Sequence, residues 1–149
     1  MRIALIGYGE VGRILAEDLR KLGKAVSAHD SKLCDSRGDA MRVHASKHGV
    51  SLADSHVQAV RGAELVISAV TASQAVPVAH DVAGALEKGA FFLDLNSASP
   101  GAKIEAALIV NHARGRYVEG AVMTSVPPYR SKVPLLLGGS DAAELEPML

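Results

Sequence analysis

The sequence has no tryptophan, and aromatic residues make up only 3% of its 149 positions. Any core must therefore be built from Ala, Val, Leu and Ile, and the stacking platforms that hold single-stranded nucleic acid are lacking. Charge of either sign is not in excess: sixteen Lys and Arg stand against sixteen Asp and Glu. No basic field attracts a phosphate backbone, which argues against nucleic acid as a partner. The one cysteine, Cys34, allows no internal disulfide. That usage suits a cytoplasmic chain, and Cys34 reads as an ordinary surface or half-buried thiol. No apolar run approaches the roughly 18 residues of a membrane helix. The first apolar run breaks at Gly7, and charge follows at once, unlike a signal peptide. What remains is a 48% hydrophobic chain of a length suited to one domain with a real core.

The chain is organised around its opening. Ile3-Ala4-Leu5-Ile6 runs into Gly7-Tyr8-Gly9-Glu10-Val11-Gly12 and then into Arg13-Ile14-Leu15-Ala16. This is a buried strand, a tight turn and a helix start, with glycines spaced G-x-G-x-x-G. Gly7 makes the turn, Gly9 lets a pyrophosphate approach bare backbone, and Gly12 lets the helix pack closely. A diphosphate would rest on this stretch, on Gly7, Tyr8, Gly9, Glu10, Val11 and Gly12, where the unpaired N–H groups of the helix start gather.

Further along, apolar runs alternate with amphipathic ones. The pattern predicts strands over 2–6, 25–29, 50–53, 64–70, 91–95, 116–123 and about 133–137. Helices are expected between them: one carrying Val11, Ile14, Leu15, Leu19 and Leu22, one over about 36–48, a short one over 55–61, one over 73–87, and one from Pro100 with Ile104, Ala107 and Leu108 facing inward. A helix-like start at Ser140-Asp141 precedes the end. Alternation of this kind predicts an α/β fold, a doubly wound, mostly parallel sheet with helices on both faces.

Three places at strand ends carry candidate chemistry. Asp30 ends the second strand, eighteen residues past Gly12. In a dinucleotide fold such an acid accepts the adenosine ribose hydroxyls and repels a 2′-phosphate, favouring NAD. Lys32 and Arg37 stand nearby and keep NADP open; a plain turn residue is the alternative for Asp30. Val70 and Thr71 end the fourth strand, where backbone groups would line a cofactor, or where Thr71 or Ser73 caps a helix. The stretch Asp94-Leu95-Asn96-Ser97-Ala98-Ser99-Pro100-Gly101 sets small polar side chains before a helix start. It suits a carboxylate or carbonyl ligand, or is a capping loop with Ser99 as cap.

The glycine opening, the Asp94-to-Pro100 turn, and Val118-Glu119-Gly120-Ala121-Val122-Met123 followed by Pro134-Leu135-Leu136-Leu137-Gly138-Gly139 occur in this order. Together they resemble the N-terminal NAD(P)-binding Rossmann domain of the 6-phosphogluconate dehydrogenase and β-hydroxyacid dehydrogenase superfamily, in its phosphogluconate dehydrogenase-like branch. The resemblance covers essentially residues 1–149 and implies an oxidoreductase that exchanges hydride with a small hydroxy acid or related carbonyl compound. It places the family's D-x-S-T-x-x-P substrate turn on Asp94 to Pro100, so that Asn96 and Ser97 touch substrate and the nicotinamide side. The family's S-G-G motif falls near Glu119-Gly120-Ala121, with alanine in place of its second glycine. The acid/base lysine of the family opens an all-helical C-terminal domain, which also builds the dimer. That domain is absent from this chain, so a dinucleotide site without complete catalysis is expected. Lys103 and Lys132 do not match the family lysine; Lys103, one turn into the helix after the Asp94-to-Pro100 turn, could approach the site, but both read as solvated.

A rival of another class is a stand-alone dinucleotide-sensing domain, as found on potassium-transport proteins; it would need Gly7 to Gly12 and Asp30 but not the Asn96-Ser97 turn. His44 and His48 stand four apart on an expected helix and could present two metal ligands. The sequence places no third, and they read as a polar helix face, so no metal is expected. His29, His56, His80 and His112 show no partner at catalytic spacing.

Overall fold

In the computed structural model, which describes Met1 to Leu149, seven strands form one sheet in the order β3-β2-β1-β4-β5-β6-β7. The strands are β1 (Arg2–Ile6), β2 (Ala25–His29), β3 (Ser51–Leu52), β4 (Leu65–Ser68), β5 (Phe91–Asp94), β6 (Arg116–Val122) and β7 (Leu135–Gly138). The first six are parallel, and β7 returns antiparallel against β6, with Ala121 opposite Leu136. β4 is buried at every residue and β1 from Ile3 onward, as both faces of a helix-covered parallel sheet require.

The main helices are α1 (Glu10–Lys21), α2 (Asp39–His48), α3 (His56–Val60), α4 (Ala75–Ala83) and α5 (Pro100–His112); two short ones, α6 (Val126–Tyr129) and α7 (Ala142–Leu145), flank β7. Two aliphatic clusters form the core. One gathers Ile3, Leu5, Ala16, Met41, Ile67, Leu93 and Leu145 beneath α1, α2 and α7. The other gathers Ala4, Ile6, Val60, Val66, Val82, Phe92 and Val110 beneath α3, α4 and α5. The doubly wound α/β sheet expected from the alternation of runs is therefore present.

The differences are local. The helix expected over 36–48 begins as a 3₁₀ turn at Ser36–Gly38, and the one expected over 73–87 is α only over Ala75–Ala83. On α5 the inward face is Lys103, Ala106 and Val110. Ile104 and Leu108, expected inside, lie largely in solvent, as does Leu22 at the end of α1. No helix is long and apolar enough to cross a membrane.

Candidate functional site

The strand order reverses between β1 and β4, and a cleft of about 350 Å³ opens there at the carboxyl ends of the strands. Gly7, Gly9, Glu10, Val11, Asp30, Val70 and Thr71 line it, so most of the residues singled out from the sequence converge on one hollow.

The three glycines differ in what they permit. Gly7 has φ +94° and sits so close to β4 that any Cβ would strike the Ala69 carbonyl. A Cβ at Gly12 would strike the Gly7 carbonyl, so the helix lies directly on the turn. At Gly9 a Cβ meets nothing within 4 Å, and the residue lines the cleft. Gly9 is also the N-cap of α1 and offers no side-chain cap, which leaves the first-turn N–H groups of the helix to solvent or an anion.

Asp30 ties the turn to the end of β2. Its Oδ2 accepts the Tyr8 N–H at 2.8 Å, and its Oδ1 accepts the Lys32 N–H at 2.9 Å. The carboxylate thereby faces the cleft with two of its lone pairs used and the others free. Tyr8 is fully buried below the turn rather than in the cleft, and its hydroxyl bonds His44 Nδ1 at 2.8 Å. Burial pushes the Tyr8 phenol up to about 12, so it stays protonated at neutral pH.

Asn96 departs from the expectation drawn for it. Its side chain is not in the cleft; only 4% of the residue is exposed. Its Oδ1 accepts the Val70 N–H at 2.6 Å, and its Nδ2 donates to Ser68 Oγ at 3.0 Å. A buried amide must be satisfied, and here its partners are Ser68 of β4 and Val70 just after it. Asn96 thus stands directly behind the cleft wall and holds Val70 in place. Ser97 is exposed but does not line the cleft, whereas Ser99 caps α5 through the Ala102 N–H, with Pro100 in the first turn. On Ser99, the capping reading of this loop is realised.

Lys103 also departs from expectation. It is buried, not solvated: Nζ lies 3.2 Å from Asp94 Oδ1 and donates to the Asp94 carbonyl. Asp94, 1% exposed, further accepts the Tyr117 hydroxyl at 2.7 Å and the Asn96 N–H at 2.8 Å. Burial, reinforced by the Asp94 carboxylate, drives the Tyr117 phenol well above its ordinary range, so it stays protonated and donates to Asp94. Asp94 is the hub from which the Asn96 clamp hangs. Gly120 has no such polar role; Leu95 and Leu93 fill the space beside it.

Several cleft residues were not singled out for it. Ser31 follows Asp30 into the cleft lining, a consequence of position, beside Lys32, the candidate phosphate partner named from the sequence, which lines the cleft as well. His56 enters from α3, bonded to Asp81 at 2.9 Å and edge-on to His29; no local pattern announces it. Arg37, by contrast, is locked to Asp35 at 2.7 Å and is not among the lining residues.

Residues 2–97 match the family model described as NADP oxidoreductase, coenzyme F420-dependent. A conserved hypothetical protein from Sinorhizobium meliloti 1021 is 36% identical, with a TM-score of 0.91 over 98% of this chain and 49% of its own. The conserved protein MTH1747, of unknown function and described as structurally similar to 3-hydroxyacid dehydrogenases, is 28% identical, with a TM-score of 0.83 over 99% of this chain and 54% of its own. The 3-hydroxyisobutyrate dehydrogenase of Mycobacterium tuberculosis shares the fold at 22% identity and a TM-score of 0.87, over 99% of this chain and 50% of its own. The chain thus spans about half the length of these structures. No curated protein matches it.

Proposed function

This chain belongs to the family of NADP oxidoreductases described as coenzyme F420-dependent, and from that premise we propose that residues 1–149 are its dinucleotide-binding domain and bind NAD(P) in the cleft between β1 and β4. The observation that carries the proposal is Gly9: an uncapped helix start with open space where a side chain would stand, the cradle a diphosphate fits. Gly9, Glu10 and Val11 would hold the pyrophosphate through their N–H groups. Asp30 would take the adenosine ribose hydroxyls with its remaining lone pairs. Val70 and Thr71 would flank the nicotinamide end, the Val70 N–H fixed from behind by Asn96.

A bound nicotinamide supplies the hydride chemistry, and the chain's own groups supply position and polarity. Substrate would approach from the side of Ser97, and a small hydroxy acid or related carbonyl compound is the class proposed. Because the chain spans about half the length of the structures it matches, completion of the active site and assembly into a homo-oligomer by groups outside these residues are part of the proposal.

Asp30 favours NAD, since a 2′-phosphate would meet its carboxylate. Lys32 is the one ammonium or guanidinium lining the cleft that could offset that repulsion. The test is a fluorescence titration with NADH and NADPH against the wild type and Asp30→Asn. Saturable binding, tighter for NADH and with the preference reduced in the variant, supports the reading. Absence of binding by either nucleotide overturns it.

A further inference from the structure

On the sheet face covered by α1 and α2, two elements far apart in sequence bring three metal-ligating side chains together. Glu17 of α1 meets His44 and His48 of α2, and one ligand atom from each lies within 4.8 Å of the other two. The histidines stand four residues apart, one helical turn, so their rings share a face, with centroids 4.4 Å apart. The sequence offered the pair; the packing of α1 on α2 supplies the third group.

We propose that Glu17, His44 and His48 form a binding site for a borderline divalent cation, with zinc as the first choice. Two imidazoles and one carboxylate are a donor set that suits zinc or cobalt better than magnesium or calcium, which prefer all-oxygen shells. A water would complete four-coordination. The set also has an outer partner. The Tyr8 hydroxyl bonds His44 Nδ1 at 2.8 Å; a cation taking Nε2 leaves that bond intact, and the bond fixes the ring, as outer hydrogen bonds do for ligating histidines.

Local charge sets the difficulty. Glu17 Oε1 already bonds Lys21 at 2.6 Å, and Oε2 lies 3.1 Å from Arg130. Lys21 is 62% exposed and joined to Glu17 by a surface pair of the weak kind, so it can swing into solvent and release Oε1. Arg130 keeps its stronger attachment to Asp18. A bound cation would cross-link α1 to α2, and through Tyr8 it would touch the turn that begins the dinucleotide cleft.

The experiment uses the full 149-residue chain, stripped of metal with a chelator. Cobalt(II) is titrated by visible absorption and zinc(II) by calorimetry, with the melting temperature followed alongside. The expected result is one equivalent bound and a rise in melting temperature. His44→Ala, His48→Ala and Glu17→Gln should each weaken binding by about tenfold or more, and Tyr8→Phe by about tenfold. His112→Ala, at the exposed end of α5, should bind as the wild type does. Should His44→Ala unfold, the half-exposed His48 still carries the test through His48→Gln, checked by circular dichroism. Weak uptake that is unchanged in His48→Gln, or that falls equally in His112→Ala, overturns the proposal.

Discussion

The side-chain oxygen of Asn96 accepts the backbone N–H of Val70 at 2.6 Å, joining the loop after β5 to the loop after β4. The Asn96 amide nitrogen completes the link on buried Ser68. One side chain therefore fixes the spacing of two strand ends at the rim of the cleft. Asn96→Ala would leave the Val70 N–H and the Ser68 hydroxyl without these partners. The expected loss is about 2–3 kcal/mol in denaturant unfolding, with weaker nucleotide binding as a second effect. Asn96→Asp keeps the acceptor for Val70 and loses the donor to Ser68, so it is also destabilised.

The glycines of the first turn separate fold from function. Gly7→Ala forces a left-handed backbone on alanine and a collision with the Ala69 carbonyl, and should lose about 3 kcal/mol or more. Gly9→Ala meets no protein atom and should melt with the wild type. Its nucleotide binding should nevertheless fall at least tenfold in an NADH titration, because the added methyl occupies the side left open for the diphosphate.

The ion pair of Asp94 and Lys103 is buried on both sides, with exposures of 1% and 8%. Asp94→Asn removes the nearer, buried counter-charge and leaves the ammonium only the half-exposed Glu119 carboxylate at 3.9 Å, so it should cost about 3 kcal/mol by chemical denaturation. Replacing both, as Asp94→Asn with Lys103→Met, removes the stranded charge and should recover part of that loss. A double variant no more stable than Asp94→Asn would show that an unpaired ammonium is not the source of the loss.

Arg130 reaches across from the segment before β7 to Asp18 at 2.7 Å and Glu17 at 3.1 Å. Its bonds, behind that of Lys21, hold the Glu17 carboxyl down from 4.5 to about 2. Asp18 is also lowered: burial pushes it up, but the Arg130 guanidinium and the Ser131 N–H outweigh that. A carboxylate depressed in the folded state contributes stability above its unfolded value and loses it as pH falls through its folded value. The melting temperature should therefore drop between about pH 4.5 and 2, and Arg130→Ala should flatten that slope. Arg130 also has φ +56°, so Arg130→Gly, which relieves the backbone, should melt above Arg130→Ala at neutral pH.

The parts of this fold that depend on neighbouring residues were legible in the sequence. Strands buried on both faces print as unbroken apolar runs, and β1, β4 and β5 were placed to within a residue or two. The glycine turn was legible because each glycine answers to a different steric demand. Where a polar residue sits in a core position, the reading failed. Lys103 took an inward place on α5, and a count of apolar residues alone rotated that helix by one position. Asn96 faces inward because the Val70 N–H, 26 residues away, needed an acceptor. No local pattern records such pairings, nor the approach of Glu17 to His44 and His48. They exist only after the sheet order is set.

The contact between the Gly12 side of α1 and the Gly7 carbonyl has a kinetic meaning. A turn wedged between a helix and a neighbouring strand keeps its shape without a guest. A visitor to it would find a finished mould, and recognition would approach lock-and-key, with little reshaping of the first crossover on arrival.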